Sequence, residues 1–522
     1  MNHLEFALHC ILVSWFSTST LRTLAADDVK VTVNGVASIA STDDNFICAT
    51  LDLWPSSKCN YDQCPWGQAG IFTLDLKNNI LSNAVKAFNP LRIRIGGSLQ
   101  DQLVYQVGNE RFKRCLPFQP RKDGLLGFSA GCLTMERWDQ LNHFSNQTRA
   151  KITFGLNALV GRKRPAENGS ILWVGAWNPQ NALAFMKYSI SKGYQIDSYE
   201  LGNELCSNGV DAKVGAERYG KDMIVLKKLV QKLYPDPRTQ PKVLGPGGFF
   251  DEQWFKTYLH VSGPRVVDGL THHIYNLGSG DDPTLIEKVH DPHFLDQIAQ
   301  VYGYISSTIK KFGPWTGAWV GEGGGAYNSG SKIVSHSFAD GFWYLDQLGI
   351  SSSFNHKVFC RQSLVGGNYG LLNTTTFIPN PNYYGALLWH RLMGKKVLAT
   401  NCVGSPFLRA YSHCSKRKPG VSLLLMNLSN STTFHVALSN DENPDENSPG
   451  GATQSEEYHL TPENGNIRSN VVLLNGSPLV LTDSSDIPPM NPKLVDPSLP
   501  ITVAPDSIVF VLLRDYNAPA CV

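Results

Sequence analysis

Two glutamates have the setting that cleavage of a glycosidic bond requires. Glu204 ends the run Tyr199-Glu200-Leu201-Gly202-Asn203-Glu204, and Glu322 ends Ala318-Trp319-Val320-Gly321-Glu322. Each follows a short apolar run that reads as a buried strand, and 118 positions separate them. Cleavage with retention needs two carboxyl groups facing each other across the sugar, one protonated as acid and one ionised as nucleophile. Carboxylates at the carboxyl ends of two barrel strands meet that demand, because strand ends converge on one mouth. Alone, a strand-end Glu is a solvated loop charge. The pairing lifts these two above that default, with Asn203 before the first and Gly323-Gly324-Gly325 after the second. Glu200 shares a strand with Glu204 at an even spacing, so it reads as barrel structure one layer deeper.

Aromatic and imidazole groups gather at neighbouring strand ends. His272, His273 and Tyr275 follow a sixth strand, Tyr327 lies just past Glu322, and Asn368-Tyr369 follow an eighth. Apolar sugar faces stack on rings while phenols and imidazoles donate hydrogen bonds, so the set suits a sugar pocket. Adjacent strand residues point to opposite faces, so His272 and His273 are not expected to share a metal ion. No cofactor is implied.

The elements that must hold these groups can be read from periodicity. Between Asn45 and Gly394 eight strand candidates occur: Phe46–Leu53, Leu91–Ile95, Lys151–Asn157, Ser198–Gly202, Val243–Gly245, Gly269–His273, Ala318–Gly321 and Val358–Gln362. Helical stretches follow them, clearest at Phe72–Phe88, Asn178–Gly193, Ala216–Tyr234, His293–Phe312, Ser337–Leu348 and Tyr383–Met393. The alternation predicts an α/β fold, a (β/α)8 TIM barrel over residues 45–394. A doubly wound open sheet calls for a Gly-rich phosphate loop after the first strand, and none is there. Beyond Lys395 short strands split by Asn, Gly, Pro and Ser turns predict a C-terminal β-sandwich over 395–522. Val29–Ile39, within the stretch 27–44, reads as a strand that joins it. Asn440–Glu456 reads as a mobile loop.

At 522 residues, 42% of them apolar, the chain can bury a large core, and a net charge of +2 gives no field that points to nucleic acid. Met1–Ala26 resembles a secretory signal, with the apolar run Phe6–Phe16 ahead of Ala25-Ala26. No later stretch is apolar for long enough to span a membrane. Removing the leader takes Cys10 with it and leaves ten cysteines. Their loose spacing suits disulfides in an oxidising compartment better than zinc, although Cys59-x4-Cys64 mimics half of a metal site. The sequons at Asn146, Asn168, Asn373, Asn427, Asn430 and Asn475 agree with secretion to the cell exterior or wall, with vacuolar or peripheral membrane association as the alternatives.

Phe154–Leu159, Tyr199–Glu204, Thr271–Leu277, Gly321–Tyr327, Phe338–Leu348, Arg361-Gln362 and Gly367-Asn368-Tyr369 together carry a resemblance. In these segments, and along nearly the whole mature length, the chain resembles the heparanase-like proteins of plants within glycoside hydrolase family 79. The resemblance implies a barrel plus sandwich acting as a retaining β-glucuronidase, with Glu204 as acid/base and Glu322 as nucleophile. It also implies that Asp52, Asn203, His273 and Tyr275 lie along the sugar hydroxyls. Tyr327, Tyr369 and the backbone near Ser329 would hold the carboxylate, and Cys414 with Cys521 would form the sandwich disulfide. The chain departs from animal heparanase at Asn328-Ser329-Gly330, where glycines stand in that enzyme, and in lacking strongly basic stretches apart from Arg162-Lys163-Arg164. The implied partner is a glucuronic-acid-containing glycan of arabinogalactan type, or else a small phenolic glucuronide, bound by a monomer. A secreted glycan-binding protein without turnover is the competing class, and the presence of both glutamates speaks against it.

Overall fold

A computed structural model describes residues 25–111, 113–165, 170–207, 209–440 and 449–522. The apolar runs form eight parallel strands: β1 (Ile47–Asp52), β2 (Arg92–Gly96), β3 (Lys151–Leu156), β4 (Ile196–Leu201), β5 (Lys242–Gly248), β6 (Gly269–Ile274), β7 (Gly317–Gly323) and β8 (His356–Arg361). They close into a barrel in sequence order, with β8 pairing to β1. At that seam Cys48 lies opposite Cys360, and the two form a disulfide. All eight expected strands are present, and the TIM barrel read from their spacing is the observed fold.

The helices outside the barrel follow the apolar stripes. Ala216–Leu233 buries Met223, Leu226 and Val230 along one face, the i, i+3, i+7 pattern that its sequence displays. Three expected helices change shape. Phe72–Phe88 shortens to Asn79–Lys86, because the Asn78 side chain accepts from the Leu81 N–H and caps a later start. His293–Phe312 splits into Pro292–Asp296 and Ile298–Phe312. Ser337–Leu348 becomes Asp340–Ser353. Helices at Met135–Thr148 and Glu252–Ser262 join the set, each with an N-cap in the sequence: Thr134 accepts from Arg137 N–H and Asp251 from Trp254 N–H. Many polar residues dilute the stripe of Met135–Thr148, of which Trp138, Leu141 and Phe144 are the buried apolar members.

The last helix, Pro381–Leu392, runs directly into the strand Met393–Val403. That strand belongs to a large sheet whose centre is ordered Gln454–Pro462, Ser507–Arg514, Gly420–Asn427, Leu408–Ser415, Met393–Val403, Ala25–Ser41, Thr432–Asn440. The amino-terminal strand pairs antiparallel with Met393–Val403 and parallel with Thr432–Asn440. The sheet folds over itself into a sandwich, and alternation assigns its two faces. Val421, Leu423, Leu425, Val509 and Val511 join Val29, Val31 and Val33 in the sandwich core. Leu424, Met426, Ile508 and Phe510 point the other way, into the core shared with the barrel helices.

Several expectations need correction or limits. Gln454–Glu456, read as part of a mobile loop, begins a strand paired in register to Arg514, Leu513 and Leu512. Residues 441–448 of that stretch lie outside the described residues, as does the leader apart from Ala25 and Ala26, whose backbone pairs with Thr432 and Thr433. Asn168 also lies outside them. Asn427 cannot carry a glycan in the folded chain. It is fully buried, and its side-chain amide donates to the carbonyls of Thr432, Val503 and Ala504. Asn146, Asn373, Asn430 and Asn475 are exposed.

Disulfides join Cys48–Cys360, Cys59–Cys64, Cys115–Cys132 and Cys414–Cys521, while Cys206 and Cys402 are free. Cys59-x4-Cys64 is therefore a loop staple, and no half of a metal site.

Leu424 carries the sandwich's side of the core shared with the barrel helices and is completely buried. Leu424→Ala should lower stability by about 2–5 kcal/mol through lost transfer energy and a residual cavity, measured as a reduced denaturant midpoint.

Candidate active site

The carboxyl ends of the barrel strands surround a cavity of about 480 Å³, a size suited to a sugar-sized ligand. Glu204 and Glu322 both reach its wall. Glu322 lies within β7, and Glu204 lies just past β4 in a left-handed conformation with φ of 57°. Two glycines make that turn feasible: a Cβ on Gly248 would come to 2.9 Å from Glu204 Cα, and one on Gly209 to 2.6 Å from Glu204 Oε2. The Glu204 N–H donates to the Gly247 carbonyl at 2.6 Å, tying the turn to the end of β5. As a result, oxygens of Glu204 and Glu322 and a nitrogen of His273 lie within 4.8 Å of one another.

Behind this pair sits Arg94, fully buried in the middle of β2. Its Nε donates to Glu200 at 2.6 Å, one terminal nitrogen to Glu322 Oε2 at 2.8 Å, and the other to Asn203 Oδ1 at 2.8 Å. The other oxygen of Glu322 accepts from the Tyr275 hydroxyl at 2.5 Å. Glu204 Oε1 is bonded to His273 Nδ1 at 2.8 Å. Asp101 fixes the chain before Glu204, accepting from the N–H groups of Asn203 at 2.8 Å and Ala158 at 2.7 Å. His272 faces away from the site, its Nε2 2.8 Å from that of His356, as strand alternation requires.

The electrostatics separate the acidic groups. Burial acts to raise the Glu322 carboxyl, but the positive charges of His273 and Arg94 and the hydrogen bonds from Tyr275 and Arg94 outweigh it, leaving it below the usual range. Asp52 moves in the opposite direction: burial pushes it well above the usual range, and the negative charge of Glu322 adds to that. Negative charge therefore resides on Glu322. The trio of Glu204, His273 and Glu322 has ligand-like spacing for a metal ion. A cation there would meet the Arg94 guanidinium 2.8 Å from Glu322 and compete with bonds that both carboxylates already make.

Tyr275, Tyr327, Ser329 and Tyr369 line the cavity with the two glutamates. Asp52, Asn203 and His273, expected along the sugar hydroxyls, stand in the layer behind the wall. Each is buried and bonded to a neighbour: Asp52 accepts from Gln362 at 2.8 Å, Asn203 from Arg94, and His273 pairs with Glu204. Ser329 offers its side chain elsewhere, accepting from Trp66 Nε1 and donating to Asn60 Oδ1, both at 2.9 Å.

Sequence reasoning missed Arg94, Asp101, Trp54, Lys58, Trp66 and Phe249. Arg94 carried a signal: Arg92-Ile93-Arg94-Ile95 puts two charges on one face of a buried strand, and buried charges require partners. Trp54, Lys58 and Trp66 lie in the long loop after β1, whose path the Cys59–Cys64 bridge and the bonds to Ser329 determine.

Comparison with known proteins agrees with this geometry. The sequence model described as "Glycosyl hydrolase family 79, N-terminal domain" matches residues 28–349. The chain belongs to glycoside hydrolase family 79. It is 52% identical to heparanase-like protein 2 of Arabidopsis thaliana, covering 94% of each chain. It is 43% identical to baicalin-beta-D-glucuronidase of Scutellaria baicalensis, covering 93% of this chain and 92% of that one. Among solved structures, a GH51 arabinofuranosidase from Xanthomonas axonopodis pv. citri superposes with a TM-score of 0.66 at 14% identity, over 94% of this chain and all of that one, a likeness of fold. This family 79 protein is a glycoside hydrolase, with heparanase-like and glucuronidase relatives.

With Glu322 held below the ordinary glutamate range, an enzyme that uses it ionised is expected to show the acid limb of kcat/KM on the acid side of that range. Removing a hydrogen bond to the carboxylate raises its pKa. Tyr275→Phe should therefore shift that limb to higher pH, read from a pH–rate profile on a chromogenic glycoside.

Proposed function

We propose that the protein is a secreted, retaining β-glucuronidase that releases terminal β-linked glucuronic acid from glycans, chiefly arabinogalactan-type cell-wall glycoproteins. The observation that carries the mechanism is the separation of the carboxylates. One oxygen of each lies within 4.8 Å of the other, which favours the roughly 5–5.5 Å of retaining enzymes over the about 6.5–9.5 Å of inverting ones.

In the first step Glu322 attacks the anomeric carbon, the glycosidic C–O bond breaks, and Glu204 gives its proton to the departing oxygen. In the second, Glu204 takes a proton from water, whose oxygen displaces Glu322 from the anomeric carbon and frees the β-sugar. Arg94 and Tyr275 keep the nucleophile ionised and aimed, and His273 orients Glu204. Tyr327, Tyr369 and the backbone at Ser329 contact the sugar carboxylate. The resemblance to plant heparanase-like proteins favours a wall glycan as substrate, and the four disulfides fit an oxidising compartment outside the cytosol. Among the described residues no helix is long and apolar enough to cross a membrane. A glucuronidated phenolic is the second reading, supported by the 43% identity to baicalin-beta-D-glucuronidase and by Trp54, Trp66 and Phe249 on the cavity wall.

The reading is tested by incubating the protein with an aryl β-glucuronide and following the first-formed anomer by NMR. β-Glucuronic acid is expected first, and Glu322→Gln should lose at least about 10³-fold in kcat. A 2-fluoroglucuronide reagent should label Glu322. Initial release of the α-anomer, or a label on another residue, refutes the mechanism. Release rates from an arabinogalactan protein and from a flavonoid glucuronide then distinguish the two substrates.

A further inference from the structure

The cavity wall carries the negative charge of Glu322, with the Glu204 carboxyl beside it and that of Asp52 behind, while Arg94 is already shared among Glu200, Glu322 and Asn203. A sugar acid entering this space adds a further negative charge beside a nucleophile that has to remain ionised. Buried charges of like sign repel strongly unless a cation stands nearby.

One cation is placed to do this. Lys58 is the cationic side chain among the described residues that line the cavity. Its ammonium lies 4.4 Å from the centre of the Trp54 ring, a cation–π contact that holds the charge at the wall. No carboxylate among the described residues pairs with it, and burial alone moves its pKa, downward. A half-buried lysine without a counter-ion is costly to maintain, and an incoming anion offsets that cost.

The surrounding loop gives the amine a defined place. The Lys58 N–H closes a turn onto the Pro55 carbonyl at 3.0 Å, and the Cys59–Cys64 disulfide follows immediately. Asn60 and Trp66 both bond the Ser329 hydroxyl, which staples this loop to the segment after β7 that includes Tyr327. Lys58 thus shares the cavity with the groups assigned to the sugar carboxylate.

We propose that Lys58 is the specificity-determining cation of this cavity: its ammonium, held over Trp54, receives the carboxylate of the bound sugar and sets the preference for a uronic acid over the neutral hexose. The inference rests on the β-glucuronidase reading. Its test compares wild type, Lys58→Met and Lys58→Arg on p-nitrophenyl β-glucuronide and p-nitrophenyl β-glucoside, with thermal unfolding as the check on folding. In Lys58→Met the ratio of kcat/KM for glucuronide over glucoside should fall at least tenfold, mainly through KM for the glucuronide, and Lys58→Arg should keep most of the preference. An unchanged ratio, whether both substrates slow equally or neither slows, overturns the role of Lys58. If the wild type hydrolyses no glucuronide, it is the proposed function that fails. Calorimetry with free glucuronic acid then still decides on Lys58: binding weakened at least tenfold by Lys58→Met supports it, and equal or absent binding in both proteins refutes it.

Discussion

A guanidinium buried inside a barrel is the constraint on which the site depends. Arg94 has lost its water, and such a charge is tolerated where each of its nitrogens finds a partner. Glu200, Glu322 and Asn203 supply them from β4, β7 and the turn after β4. Satisfying this one side chain therefore fixes Glu322, sets the depth of Glu200 and orients Asn203, the residue next to Glu204. One layer down, Arg92 is paired with Asp197 and stacked on Trp319 at 4.8 Å. Two layers of buried charge run up the barrel axis, and the upper one opens into the cavity.

Packing far from the cavity reaches its wall through a similar chain. Asp340, in a helix buried between barrel and sandwich, accepts from Arg361 at 2.6 Å and from Asn382 at 2.8 Å. Arg361 ends β8 and donates in turn to the Tyr369 carbonyl at 3.0 Å. The position of Tyr369 thus depends on a contact made where Leu424 and Phe510 press the sandwich onto the barrel helices. Among the described residues the sandwich supplies none to the cavity lining. It supports the helices that hold β8, and through them one wall of the site.

Charge is divided among the acidic groups by environment. Arg94 and Tyr275 stabilise the ionised form of Glu322, whereas burial and the charge of Glu322 outweigh the Gln362 hydrogen bond and the Arg94 charge at Asp52. Pushing neighbouring carboxyl groups in opposite directions is how a buried site keeps one of them charged and another neutral. The loop after β1 adds the aromatic wall and Lys58, held over Trp54.

Much of this was legible in the linear chain. Eight strands, the positions of Glu204 and Glu322 at their ends, the sandwich and the opposed faces of His272 and His273 all follow from periodicity, because side-chain alternation and strand-end convergence are local or topological rules. Capped starts at Asn78, Thr134 and Asp251 were also written there, although polar dilution hid the helix at Met135–Thr148. Long-range burial decided the rest. No spacing rule says that Asn427 lies under three backbone carbonyls, that Gln454–Glu456 extends a sheet, or that Asp52, Asn203 and His273 stand behind the wall. Those outcomes depend on which atoms lose water when distant segments meet. The chain by itself determined which residues have the chemistry; the tertiary structure decided which of them face the substrate, since desolvation and pairing exist only once the barrel has closed.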